Sequence, residues 1–322
     1  MQSLIIEKAR RLLESGQADR VLAWEQGENS WDRVPTVLDE AHLDNLRYDS
    51  FCGANLSKML IAQMAGEGKI LAFLKPCDTY SYNQLVTEHR VNPDKVYVVG
   101  VGCKGKIDIE KIRAMGIKGI LDITEDGDTL HVHTLYGDKD VARKDALLLK
   151  CLCCKGKTHV AGEEFIGESE ETTQGDKYDM VRKLEAMTPD ERFAFWRSEL
   201  SKCIRCNACR NVCPACSCIK CVFDNPNTGV QNKAAADDFE ENLFHIIRAF
   251  HVAGRCTDCG ECSRVCPQGI PLHLLNRKFA KDIDTLYGAY QPGAQIGQRH
   301  PLENFDKGDC EPAEALKGGA AK

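Results

Sequence analysis

The first 150 residues alternate between helical and continuous apolar patterns. Leu4, Ile5, Ala9, Leu12 and Leu13 fall on one helical face, and Gly16 can end that helix. Residues 21–24 read as a short strand. Asn55 can cap a helix through 56–68. The run KILAFL (69–74) predicts a strand, 78–90 a helix, and KVYVVGVG (95–102) a strand apolar enough to be buried on both faces. Residues 107–116 predict a further helix, and 120–137 a hairpin with Asp-Gly at its turn. This alternation predicts an α/β domain over residues 1–160, built on a mainly parallel sheet.

Residues 161–200 read as a polar, helical linker. Residues 172–176 carry loop chemistry, and Thr188-Pro189-Asp190-Glu191 starts a helix with threonine as cap and proline at the first helical position. Residues 201–287 predict an α-helical, dicluster ferredoxin-like domain. Its halves are joined by a helix in which Phe239, Leu243, Ile246, Ile247 and Phe250 recur at three- to four-residue spacing, so that face is expected to point inward. Asp237 or Asp238 can cap this helix and Gly254 can stop it. A second helix is expected from near Pro271, with Leu275, Phe279 and Ile283 on one face. Residues 288–322, rich in Gly, Pro and Ala, are expected to be a peripheral tail.

Composition changes the picture in one respect. Of 322 residues, 43% are apolar and 28% charged, which is ordinary for a globular chain, but 18 are cysteine. The net charge of −6 argues against a nucleic-acid partner, as does an aromatic content of 7%. No apolar run reaches the length of a transmembrane segment. The start MQSLIIEKARRLLESG lacks the apolar core of an export signal, so a cytoplasmic location is expected. Disulfides are rare in a reducing compartment, which leaves metal binding or redox chemistry for the thiols.

Eleven of the cysteines lie between Cys203 and Cys266. Two runs stand out: Cys203-x2-Cys206-x2-Cys209-x3-Cys213-Pro214 and Cys256-x2-Cys259-x2-Cys262-x3-Cys266-Pro267. Three thiolates at two-residue gaps wrap one iron–sulfur cube, and the fourth, before proline, reaches the neighbouring cube. Cluster one is therefore expected on Cys203, Cys206, Cys209 and Cys266, and cluster two on Cys256, Cys259, Cys262 and Cys213. The competing reading is zinc, which also uses CxxC pairs but has no need of the third and fourth cysteines at these gaps. Cys216, Cys218 and Cys221 are left unassigned, either a further metal centre or a packing shell.

In the α/β region, Cys77 follows the strand 69–74 and Cys103 follows 95–102. Carboxyl ends of parallel strands open into one crevice. With Cys151 and Cys154 they form a candidate third four-thiolate site, against the alternative that Cys77 and Cys103 are small buried hydrophobes. Lys75, Lys104 and Lys106 border the same crevice, where they could hold a flavin's phosphates or face a partner; the blander expectation is that each is solvated. Gly100-x-Gly102-x-x-Gly105 matches the dinucleotide fingerprint formally, but follows a late strand and surrounds a cysteine. His131 and His133 share a strand face, which suits a half-exposed strand better than a metal site. No catalytic triad or carboxylate pair can be picked out.

The segments LAFLKPCDTYSYNQL, VYVVGVGCKGKID, CLCC, RCNACRNVCPACSCIKC and GRCTDCGECSRVCP occur in this order. Together they resemble iron–sulfur proteins related to the beta subunits of deazaflavin-coenzyme-reducing hydrogenase and formate dehydrogenase. The resemblance covers most of residues 1–285 and makes 1–160 a hydrogenase-beta-subunit-like domain. It implies electron transfer within an anaerobic redox complex, with other redox subunits, or ferredoxin, as partners. Archetypal members carry a flavin as well as clusters, so FAD is an implied cofactor and an independent flavin enzyme reducing a deazaflavin or nicotinamide is the alternative. This chain has no cysteine before Cys52, so the family's N-terminal cysteine-rich opening is absent.

Overall fold

The structure, a computed structural model, describes residues 1–303 except 155, 171, 173, 174 and 228–236. Within 172–176, Thr173 and Gln174 lie outside the described residues, as do 304–322 of the expected tail. The chain divides into two compact units. The first comprises Met1–Tyr82 and Val91–Gly175; the second comprises Asn83–Arg90 and the chain from Asp176 onward.

The first unit is α/β. Its strands are β1 (Arg20–Gln26), β2 (Arg33–Leu38), β3 (Ile70–Leu74), β4 (Val96–Val101), β5 (Ile120–Asp126), β6 (Thr129–Thr134), β7 (Lys139–Ala142) and β8 (Glu164–Ile166). Five of them form one sheet in the order β2-β1-β3-β4-β8, in which β1/β3, β3/β4 and β4/β8 pair in parallel. Every residue of β3 is buried, as its uninterrupted apolar run requires. The sheet is nonetheless mixed, because β2 runs antiparallel to β1. Sequence pattern missed β2 because Pro35 interrupts it; an edge position tolerates the missing donor. Sequence pattern also missed β8, three residues in a polar stretch.

The remaining strands form an antiparallel sheet, β5-β6-β7, with the expected turn at Gly127, whose φ is +56°. Leu130, Val132 and Val141 pack there with Ile107, Ile112, Leu147 and Cys151. Helices α1 (Gln2–Glu14), α2 (Ser57–Gln63), α3 (Pro76–Thr87), α4 (Ile109–Ala114) and α5 (Leu149–Leu152) complete this part of the chain, α3 running on into the residues counted with the second unit. The Asn55 side chain accepts from the Ser57 N–H at the start of α2.

The second unit is helical: α6 (Asp179–Ala186), α7 (Pro189–Leu200), α8 (Ala208–Asn211), α9 (Asp238–His251), α10 (Glu261–Arg264) and α11 (His273–Tyr287). Thr188 and Glu191 close a reciprocal capping box on α7, and Asp237 caps α9. The orientation of α9 is not the expected one. Phe239, Leu243, Ile246 and Phe250 are exposed and Ile247 is half-buried, while Glu241, Phe244, His245, Arg248 and Ala249 are buried. The reason lies in what fills this interior. Around α9 cysteine sulfur and turning backbone share the core with side chains such as Phe244, Ile270 and Leu272, so a partly polar helix face can point into it.

Candidate metal centres

The two cysteine runs share one backbone solution. In the first, Arg205 and Asn207 have φ of +54° and +61°; in the second, Asp258 and Gly260 have +52° and +68°. These are corresponding positions, flanking the middle cysteine of each run. Among the described residues only one other non-glycine position, His89, has positive φ. Left-handed backbone at a non-glycine residue costs about 1 kcal/mol or more and persists where the surroundings impose it. The turn directs N–H groups at sulfur: Arg205 N–H donates to Cys203 Sγ at 3.3 Å, and the Asp258, Glu261 and Ser263 N–H groups are directed at Cys256, Cys259 and Cys262. A short helix then follows in each run, α8 and α10.

The thiols fall into two sets. Cys203, Cys206, Cys209 and Cys266 line one cavity of about 340 Å³, open mouth included, with Phe244, His245, Ile270 and Leu272 among its walls. Burial pushes the Cys209 thiol up, and the sulfurs of Cys203, Cys266 and Cys206 add to it. In the other set, burial pushes Cys256 up to about 12, with Asp258 and then Cys213 adding. Burial, Glu261 and then Cys213 and Cys256 raise Cys259 well above an ordinary thiol. Cys262 is pushed up to about 12 by burial, with Cys213 nearby. Thus Cys266 stands with the cysteines of the first run, and Cys213 with those of the second.

The four-iron cube that this spacing implies can be tested against these surroundings. A buried thiol such as Cys256 or Cys262 would bind as the thiolate, its proton displaced by coordination. His245 and Arg248 supply the second observation. Both are 1% exposed, and neither the imidazole nitrogens nor the guanidinium nitrogens have a hydrogen-bond partner. Orphaned donors beside four sulfurs suit an anionic, sulfide-bearing group. The donor set therefore fits.

Cys216, Cys218 and Cys221 have different surroundings. The Cys216 thiol hydrogen-bonds to Cys213, which this bond pulls down to about 6 against the effect of burial, with help from Arg248. Cys221 lies beside Arg210, itself paired with Asp224 at 2.7 Å. Cys218 is exposed, within the field of Arg255.

In the first unit, β3 and β4 end side by side, Leu74 opposite Gly100, and deliver Cys77 and Cys103 to one region. Burial raises Cys77, and Asp78 and Cys103 raise it further. Cys151 is raised by burial and lies within reach of both Cys103 and Cys154, and its Sγ accepts from Lys106 N–H at 3.3 Å. Burial raises the Tyr80 hydroxyl, with Cys154 and then Cys77 adding to it. Cys77 and Cys151 thus each feel Cys103, and Cys151 also feels Cys154. Gly102, just before Cys103, is needed for packing: a Cβ there would stand 2.3 Å from the Glu168 carbonyl oxygen, so it is the chain's own backbone, not a phosphate, that needs glycine here.

Lys75 is not a solvated rim lysine. It is fully buried, paired with fully buried Asp78 at 2.7 Å, donates to the Ala54 carbonyl at 2.7 Å and sits 4.3 Å from the Trp24 ring centroid. Lys106 is buried too, over Tyr48. Lys104 is exposed and pairs with Glu170 at 2.5 Å. His131 and His133 pair with Asp140 and Asp138 on the exposed face of β6.

Sequence reasoning missed Arg205, Asn207 and Asp258 as left-handed positions, and missed the inward face of α9. A signal for the latter existed: Glu241, His245 and Arg248 recur at i, i+4 and i+7. Cys203, Glu241 and His245 even place their ligand atoms within 4.8 Å of one another.

Paired cysteine turns of this kind define a dicluster iron–sulfur protein, and residues 199–270 match the 4Fe-4S dicluster domain family. Most of the chain is similar to formate dehydrogenase beta subunits. It is 24% identical to the F420-dependent formate dehydrogenase subunit beta of Methanocaldococcus jannaschii, covering 92% of each chain. It is 26% identical to the F420-dependent formate dehydrogenase 1 subunit beta of Methanococcus maripaludis, covering 88% of each. A chain of the F420-reducing [NiFe] hydrogenase complex from Methanosarcina barkeri is a distant structural likeness, at 15% identity and a TM-score of 0.37 over 47% of this chain and 58% of that one. The protein is an iron–sulfur electron-transfer protein related to these beta subunits. Among the described residues no helix is long and apolar enough to cross a membrane.

Proposed function

We propose that the chain is the electron-relay subunit of a cytoplasmic oxidoreductase complex of the formate dehydrogenase, hydrogenase or heterodisulfide-reductase-like kind. Cluster one is held by Cys203, Cys206, Cys209 and Cys266, and cluster two by Cys256, Cys259, Cys262 and Cys213. A third belongs on Cys77, Cys103, Cys151 and Cys154. The observation that carries this reading is the exchange of the fourth thiol between the two runs, which a pair of independent zinc sites does not require. Each cluster supplies a one-electron carrier. The chain's own residues bury it, aim N–H groups at its sulfurs and hold two such sites close together. Partners are the complex's other redox subunits, with ferredoxin as a soluble alternative.

The flavin reading gains nothing from Lys75, whose charge is already matched by Asp78. Anaerobic purification from the native host tests the proposal: co-purifying dehydrogenase or hydrogenase subunits support it, and a chain that purifies alone with a yellow, acid-extractable flavin favours the independent enzyme. Three clusters correspond to about 12 irons per chain and two to about 8. Cys103→Ala is expected to lower the iron content by about four per chain while leaving the ferredoxin-like pair intact; unchanged iron would remove the third cluster from this account.

A further inference from the structure

The second unit buries a cation that acts on thiols of both cysteine sets through its field. Arg248 is 1% exposed, and its Nε, Nη1 and Nη2 all lack a partner. A buried charge without a counter-charge is strongly unfavourable, so an anion is missing from its surroundings. Other buried arginines of this unit have carboxylate counter-charges: Arg205 reaches Glu240 and Glu241, and Arg277 pairs with Asp258 at 2.8 Å.

The place of Arg248 on α9 says what it serves. His245, three residues earlier, borders the cavity formed by Cys203, Cys206, Cys209 and Cys266. Val252, four residues later at the helix cap, packs with Cys213 and Cys256. Residues at this spacing share one helix face. Arg248 therefore stands between the two cysteine sets, on the stripe that touches both.

We infer that Arg248 is the shared counter-charge of the two cysteine sites, holding the reduction potentials of both centres above the values their thiolates alone would set. This rests on the reading that both sites hold 4Fe–4S clusters. Reduction adds one electron to a centre, and a fixed cation in a low-dielectric interior favours the more negative form. Arginine suits this role because burial does not strip its proton, as it can for lysine. Since one charge faces both sites, it shifts both in the same direction and leaves the step between them nearly unchanged.

The test uses the full-length protein, purified anaerobically with its clusters, as wild type, Arg248→Met and Arg248→Lys. Iron per chain is measured, and reduction is followed by paramagnetic resonance across a potential series. In Arg248→Met both centres should be harder to reduce, with the reduced-to-oxidised ratio at a fixed poise falling about tenfold, which is 59 mV for a one-electron couple. Arg248→Lys, which can carry the same charge beside the anionic centres, should shift both centres less than Arg248→Met does. If Arg248→Met does not load while Arg248→Lys does, the requirement for charge is upheld. Unchanged potentials in a loaded Arg248→Met, a shift at one centre only, or equal loss of iron in both variants would overturn the inference. Wild-type protein without iron would instead remove the cluster reading on which it stands.

Discussion

The Cys206→Ala/Cys213→Ala double variant is expected to lose both clusters of the second unit, about 8 irons per chain, although both substitutions fall in one cysteine run. Cys206→Ala/Cys266→Ala, which touches both runs, should lose only one cluster, about 4 irons. The inversion follows from how the thiols are grouped. Cys266 lines the same cavity as Cys203, Cys206 and Cys209, and Cys213 is the sulfur that acts on Cys256, Cys259 and Cys262. If each run served its own centre, the first double variant would lose one cluster and the second would lose two. Iron and acid-labile sulfide per chain decide between these outcomes, because the order of the two variants reverses.

The second large effect concerns the first unit and needs no metal. Lys75→Met is expected to destabilise it by about 3–5 kcal/mol. Lys75 and Asp78 are both fully buried and 2.7 Å apart, and the ammonium also meets the Ala54 carbonyl and the face of Trp24. Removing the lysine leaves the Asp78 carboxylate in the interior without its cation, and the cost of an uncompensated buried charge exceeds the value of the pair itself. The thermal transition of this unit should fall by roughly 2–4 °C for each kcal/mol lost. Because Cys77 lies in the same turn, third-site iron should fall with it. A loss below about 1 kcal/mol, the value of an exposed ion pair, would contradict this.

The elements that could be read from sequence were those whose pattern has a single physical meaning. β3 is apolar throughout because it is covered on both faces, and α7 begins at a capping box written out in four consecutive residues. The cysteine spacing belongs here too, since the distance between thiolates along a turn is fixed by the cube that the turn must wrap. Elsewhere the pattern misled. β2 contains a proline that only an edge tolerates, and the edge position depends on pairing with β1, which no local signal reveals. On α9 the rule that the apolar face points inward failed. Sulfur shares the interior there, so Glu241, His245 and Arg248 turn inward while Phe239 and Phe250 face out. Lys75 failed for a related reason: its burial depends on Asp78 one helical turn on and on Trp24 from a different strand.

The most direct measurement is low-temperature paramagnetic resonance of anaerobically prepared, dithionite-reduced protein, together with its iron and zinc content. The account predicts a brown protein that bleaches on reduction, at least about 8 irons per chain, and the broadened signals of two half-integer spins held close together. A colourless protein with stoichiometric zinc and no paramagnetic centre in any redox state would contradict it.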